Sequence, residues 1–225
     1  LTRPCTKWSY QVRSVEEIRS VMYEAFSVAT SGKRGPVHID LPKDVMVSIL
    51  NGEELPVSIP SARRTIDSTN LADIARLMNG AERPILYVGQ GAIDCTPTLR
   101  AFAEASNIPV TTTLHAMGIF DEHHPLSLHM LGMHGAAYAN YAIQNADLIL
   151  AVGSRFDDRT TGVLPKYAPA AKEAEREGRG GIIHFDIERG QIGRVVQPTY
   201  AIEGDCRLAM EAVSYTHLTL PTTPY

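Results

Sequence analysis

Cysteine is scarce. The 225 residues hold three, Cys5, Cys95 and Cys206, widely spaced and with no CxxC pair. An odd, scattered set excludes a disulfide framework and a cysteine-rich zinc site, and fits a reducing compartment. No apolar run reaches the roughly 18–20 residues that cross a bilayer, and no signal peptide is recognisable, so no membrane partner is expected. Positive charge is not in excess: 21 Lys and Arg against 25 Asp and Glu leave a net charge of −4. That argues against a nucleic-acid partner held by a basic surface. No G-x-S-x-G elbow, P-loop or HExxH helix is present, and no strand leads into a complete GxGxxG turn. What remains, 44% hydrophobic and 20% charged, is ordinary for a folded globular chain.

The opening residues carry no clear pattern. From Ser14 the order becomes legible: Ser14 and Glu17 form an S-x-x-E capping box, and Val15, Ile18, Met22, Ala25, Phe26 and Ala29 recur at helical spacing. Pro36 to Leu41 reads as a short strand halted by Pro42. Residues 44 to 67 lack a sustained period and read as linker around Pro56 and Pro60. Beyond Asn70, helices and apolar strands alternate. A helix from Leu71 to Gly80 precedes a strand at Pro84 to Val88. A helix capped by Thr96, with Pro97 at its first position, precedes a strand at Ile108 to Thr113. A helix at Ala136 to Asn145 leads into the unbroken apolar run Leu148 to Val152. Ile182 to Phe185 and Tyr200 to Ile202 complete the series. This alternation predicts an α/β fold, an open parallel sheet with helices on both faces, preceded by the end of another α/β unit.

The strands run into Gly89-Gln90-Gly91, Thr113-Leu114, Gly153-Ser154-Arg155, Asp186-Ile187 and Gly204-Asp205. In a parallel sheet these carboxyl ends share one edge, where ligands bind. Glycine there admits a ligand to the backbone, arginine can fork onto phosphate, and an acid can accept from ribose hydroxyls. The set describes a site for a phosphate-bearing nucleotide. Gly89-x-Gly91 has Asp94 where a dinucleotide fingerprint needs its third glycine, and reads as a tight strand-to-helix turn in preference to an NAD site. Gly153 to Arg159 could hold a diphosphate, or be a solvated run whose charges pair with each other. His115, His123, His124, His129 and His134 show no metal-ligand spacing. Leu131-Gly132-Met133-His134-Gly135 reads as a flexible, glycine-bounded loop before a helix start, where free N–H groups can meet an anion. Met130 and Met133 suit core filling as well as ligand contact.

Five stretches carry a resemblance: GPVHIDLPKDV (35–45), RPILYVGQG (83–91), IPVTTTLHAMG (108–118), LGMHGAAYANYAIQNADLILAVGSRFDDRTTG (131–162) and EGRGGIIHFDI (177–187). They resemble the acetohydroxyacid (acetolactate) synthase catalytic-subunit family of thiamine-diphosphate enzymes, the last most like the fungal mitochondrial form. The resemblance covers about Thr2 to Val213. It implies an internal fragment: residues 1–50 ending the pyrimidine-binding domain, 51–66 a linker, and 67–213 most of the central FAD-binding domain. It also implies condensation of two pyruvates, or of pyruvate and 2-ketobutyrate, in branched-chain amino-acid synthesis. Mitochondrial location and a homodimer or homotetramer with a regulatory subunit follow from it too.

By the same resemblance, FAD contacts fall on Thr113, Leu114, Leu131, Gly132, Met133, His134, Gly153, Ser154, Arg155, Phe156, Asp157, Arg159, Asp186, Ile187, Asp205 and Cys206. A substrate-access region falls on Lys43, Met133, Asp158 and Arg159. Lys33 stands where an FAD-contacting arginine is expected, and Gln90 where a middle glycine is. The resemblance puts no catalytic residue in the chain. The glutamate that activates thiamine diphosphate would precede Leu1, and the motif for diphosphate and Mg2+ would follow Val213. Residues 214–225 do not continue the family pattern, carry no acid, lysine or arginine, and are expected to break a helix begun near Asp205. The residues alone allow a second reading, a non-catalytic FAD- or ADP-binding module used in assembly.

Overall fold

The computed structural model describes residues 1–50, 52 and 65–219, and the chain divides into two compact units, Leu1–Arg63 and Arg64–Tyr225. The smaller unit contains a strand in the opening stretch read above as unpatterned. β1 (Trp8–Gln11) crosses through α1 (Ile18–Thr30) to β2 (Val37–Asp40), with which it pairs in parallel. Four residues are too short a run to show a period, although Trp8 and Tyr10 stack at 5.3 Å on the same side of β1. Around them Val12, Val21 and Val45 form a small core. The capping box forms by half. Ser14 makes no side-chain cap, while the Glu17 carboxylate accepts from the Arg13 N–H and, at 3.1 Å, from the Tyr10 hydroxyl. The bond from Arg13 holds the Glu17 carboxyl below its ordinary pKa. A one-turn helix, α2 (Lys43–Val47), occupies the start of the segment expected to be linker, too short for periodicity to reveal. Most of the expected linker 51–66 lies outside the described residues, and Ile66 already bridges Gly204.

The larger unit begins with α3 (Leu71–Gly80) and β3 (Pro84–Val88), then α4 (Thr96–Ser106), β4 (Val110–Thr112), β5 (Ser127–Met130), α5 (Ala137–Asn145) and β6 (Leu148–Val152). The short α6 (Asp158–Thr161), α7 (Pro169–Arg176), β7 (Gly181–Asp186), β8 (Tyr200–Glu203) and α8 (Cys206–Thr219) follow. All six strands run parallel in the order β5-β4-β3-β6-β7-β8. The chain starts at a central strand, builds outward through β4 and β5, and returns to β6 to build the other way. That is the doubly wound arrangement, with its switch point between β3 and β6.

Alternate residues of each strand feed opposite cores. Leu86, Val88, Leu150, Val152, Ile183 and Phe185 pack with α3, α4 and α8; Ile85, Tyr87, Ile149, Ala151 and Ile182 pack with α5 and α7. Burial on both faces is why β3, β6 and β7 read as continuous apolar runs. At the amino edge the buried Asp147 carboxylate accepts from the N–H groups of Glu82 (2.8 Å) and Arg83 (2.9 Å), stapling the entry of β3 to that of β6. The helix expected to break at Ser214 does not. α8 continues to Thr219, with the Thr216 hydroxyl bonded to the Ala212 carbonyl at 2.9 Å. Ser, Tyr and Thr cost a helix only fractions of a kcal/mol each, and no proline or glycine intervenes before Pro221. Residues 220–225 lie outside the described residues.

Candidate functional site

Three glycines meet at the switch point. A Cβ added to Gly89 would lie 2.2 Å from the Gly153 carbonyl oxygen, and one on Gly153, whose φ is +59°, would lie 2.6 Å from the Gly91 Cα. The N–H groups of Gly89, Gly91 and Gly153 donate to the carbonyls of Val152 (2.9 Å), Gly153 (3.0 Å) and Phe185 (2.8 Å). These glycines are therefore set by the close approach of two backbones, and their N–H groups are turned inward. Of the two sequence readings of Gly89-x-Gly91, the tight turn is the one formed.

The loop after β5, read above as flexible, is hydrogen-bonded on both sides. The Asn140 side chain on α5 reaches back eight residues. Its Oδ1 accepts from the Gly132 N–H at 2.9 Å, while its Nδ2 donates to the carbonyls of Gly132 (3.0 Å) and Ala136 (3.2 Å). The Met133 N–H donates to the Arg159 carbonyl at 2.8 Å, and the Arg159 guanidinium lies 3.5 Å from the Met133 sulfur. Gly132 has a φ of +97°, and a Cβ there would lie 2.8 Å from the Arg159 carbonyl oxygen. Met133 and Arg159 are thus brought together with exposed side chains, and the His134 N–H has no partner among the described residues. Sequence reasoning missed Asn140; the available signal was a polar residue one turn into a helix whose neighbours Ala136, Ala139 and Ile143 are apolar.

The charged run after β6 divides between its two readings. Asp157 caps α6, its carboxylate accepting from the Thr160 N–H at 3.1 Å. Asp158 and Arg159 approach to 3.9 Å, both well exposed, a pairing of little energetic weight. Arg155 is exposed and has no acidic partner within 4.0 Å among the described residues. Phe156 turns the other way, at a φ of +55°, and buries its ring among Tyr87, Tyr167 and His184 at centroid separations of 5.2–6.1 Å.

The other predicted contacts separate by exposure. Leu114, Met133, His134, Arg155 and Ile187 present their side chains on the carboxyl edge, with Thr113 half-buried; Leu131, Ser154, Phe156 and Cys206 are buried in the protein. Asp186 accepts from the Glu188 N–H at 2.8 Å, and Asp205 from the Arg207 N–H at 3.0 Å. His184 Nε2 lies 2.8 Å from the Ser154 carbonyl, a contact that needs a proton on that nitrogen. Burial lowers the His184 pKa, against the opposing pull of the Asp186 carboxylate 3.8 Å away. Burial also pushes the Cys95 thiol up to about 11 and raises that of Cys206, so neither is a nucleophile near neutral pH. Lys33 and Lys43 are exposed in the smaller unit. Among the described residues no three metal-ligating side chains converge, and no helix is long and apolar enough to cross a membrane.

The family described as thiamine pyrophosphate enzyme, central domain, matches residues 71–213. The chain is 48% identical over 220 residues to the mitochondrial acetolactate synthase of Schizosaccharomyces pombe, covering 91% of this chain and 33% of that protein. To the mitochondrial acetolactate synthase catalytic subunit of Saccharomyces cerevisiae it is 49% identical over 218 residues, 91% and 32% of the two chains. To the acetolactate synthase isozyme 1 large subunit of Escherichia coli it is 42% identical over 203 residues, 90% and 34%. The chain spans about one third of the length of these curated relatives. Doubly wound in fold and matched across nearly all of its larger unit, the chain belongs to the thiamine pyrophosphate enzyme family, whose central domain that unit contains.

Proposed function

We propose that the larger unit binds FAD across the carboxyl ends of β3 and β6, as part of an acetolactate synthase. That enzyme would condense two pyruvates, or pyruvate and 2-ketobutyrate, with loss of carbon dioxide. The observation that carries this reading is the switch point between β3 and β6, followed by an exposed Arg155 with no acidic partner among the described residues. Arg155 suits the diphosphate, since a guanidinium forks onto phosphate oxygens. The His134 N–H supplies a neutral donor beside it, and the exposed Leu114, Met133 and Ile187 supply apolar surface for flat rings. The residues present therefore fit a flavin nucleotide. Asp186 and Asp205 stand at the ends of β7 and β8, each with a carboxylate oxygen engaged by backbone N–H groups.

Thiamine diphosphate, held with Mg2+ in the whole enzyme, supplies the decarboxylation and carbon–carbon bond chemistry. This chain's share is to bind and orient the flavin and, in the larger unit, to line the substrate route with Met133, Asp158 and Arg159. The mitochondrial names of the yeast relatives support the same location here, and the catalytic-subunit name of one supports a regulatory partner. A homodimer or homotetramer is the assembly that goes with this reading. Flavin titration tests it. Fluorescence polarisation of FAD should rise saturably on adding the folded chain, and Arg155→Ala should weaken binding about tenfold or more. No change in polarisation would overturn it. The alternative, a binding module without a share in catalysis, rests on the same strand-end residues read without the family resemblance. Reading the gene to both sides separates the two: a downstream magnesium and diphosphate motif supports the enzyme, and a stop codon the module.

A further inference from the structure

We infer that Asn140 is a positioning residue that locks the Gly132–Gly135 turn in the one conformation able to offer the His134 N–H and the Met133 side chain to the carboxyl edge. The Gly132 peptide cannot hold itself there. Its φ of +97° is open to glycine at little steric cost, but glycine also loses the most conformational freedom on ordering. A glycine-bounded turn is therefore the part of this edge most in need of an external restraint.

Asn140 supplies it through an amide matched to the turn. One oxygen accepts from the Gly132 N–H, and one NH2 group donates to the carbonyls of Gly132 and Ala136. Both polar ends of Gly132 are thereby held by a single half-buried side chain rooted in α5. On the other side, the Met133 N–H bond to the Arg159 carbonyl ties the turn to α6. Gly135 closes the turn, its N–H on the Gly132 carbonyl at 3.0 Å, in a space where a Cβ would lie 2.4 Å from the Met130 carbonyl oxygen. Among the described residues, every N–H from Gly132 to Ala136 is then engaged within the protein except that of the exposed His134. Asn140 makes the difference between a mobile loop and a donor of fixed direction.

The effect on ligand binding rests on the FAD reading above; the locking of the turn does not. Two variants of the full 225-residue chain test both. Asn140→Ala removes all three bonds. Asn140→Asp, ionised, keeps an acceptor for the Gly132 N–H but sets a negative charge against the Gly132 carbonyl; protonated, it regains the donor. Amide hydrogen exchange should show Gly132 and Met133 exchanging about tenfold faster or more in Asn140→Ala, with Leu150 in the core unchanged. Asn140→Asp should exchange fast near pH 7 and regain protection, relative to the wild type at the same pH, near pH 4. FAD affinity should fall about tenfold in Asn140→Ala. Unchanged Gly132 exchange in both variants, or in Asn140→Asp alone where Asn140→Ala does not fold, overturns the locking. Faster exchange with FAD affinity within twofold of the wild type overturns its importance for the ligand. A wild-type chain that does not bind FAD overturns the FAD reading alone, and exchange still decides the locking.

Discussion

At Gly153 a side chain is opposed twice, by a φ of +59° and by the Gly91 backbone 2.6 Å from where a Cβ would sit. Left-handed backbone costs a non-glycine residue about 1–2 kcal/mol, and forcing atoms into packed space about 1–3 kcal/mol more. Gly153→Ala should therefore lose about 2–5 kcal/mol in urea unfolding; a loss below 1 kcal/mol would mean the switch point yields. His184 predicts a pH dependence. Burial lowers its pKa in the folded chain, so below the unfolded value of about 6.5 the unfolded chain binds more protons. Stability from this group is full above that pH and falls as pH drops towards the folded value, by at most about 1.4 kcal/mol per unit. The urea midpoint should fall between pH 7 and 5.5, and fall less in His184→Gln; equal slopes would contradict a neutral buried imidazole. At this scale the sequence revealed residue types better than their directions. Arg155 faces the edge as its place after a buried strand implies, but Phe156 beside it is turned inward by a positive φ that no residue type announces. That Asp157 and Asp205 also cap helices was not read from the sequence, although a short acid before a helix start finds backbone N–H groups readily.

The strands that could be read from sequence are those buried on both faces. Pro84–Val88 and Leu148–Val152 emerge with the bounds expected, since every side chain must be apolar when helices cover both sides. β1 and β5 were illegible for the opposite reason: each is four residues long, incompletely buried, and β5 is irregular, with a register shift against β4 and His129 at a φ of +56°. α7 was missed because alanines form its buried side, and alanine leaves a faint apolar stripe. The central strands should hold the element-scale stability. Leu150→Ala, at a fully buried position, should cost about 2–5 kcal/mol. Asp147→Ala would leave the Glu82 and Arg83 N–H groups without their carboxylate and should cost about 1–3 kcal/mol. Both are read from urea midpoints, and a near-neutral Asp147→Ala would show that water replaces the staple.

Over the whole chain, the family was legible from long motifs, and the open parallel sheet from the alternation of helices and apolar strands. The strand order itself was not, because neighbour relations across a sheet leave no mark on spacing. With about one third of the length of its relatives, the chain is expected to hold a flavin without performing carboligation. The purified chain supplied with thiamine diphosphate, Mg2+ and pyruvate should form no detectable acetolactate, and thiamine-dependent product would refute that. The central claim is that FAD binds at the carboxyl ends of β3 and β6, and backbone amide NMR of the labelled chain during FAD titration tests it most directly. The account predicts saturable shifts concentrated at His134, Arg155 and Ile187, with Asn107, Asn145 and Gly178 at the opposite edge unmoved. Shifts confined to that opposite edge, or none at saturating FAD, would contradict it.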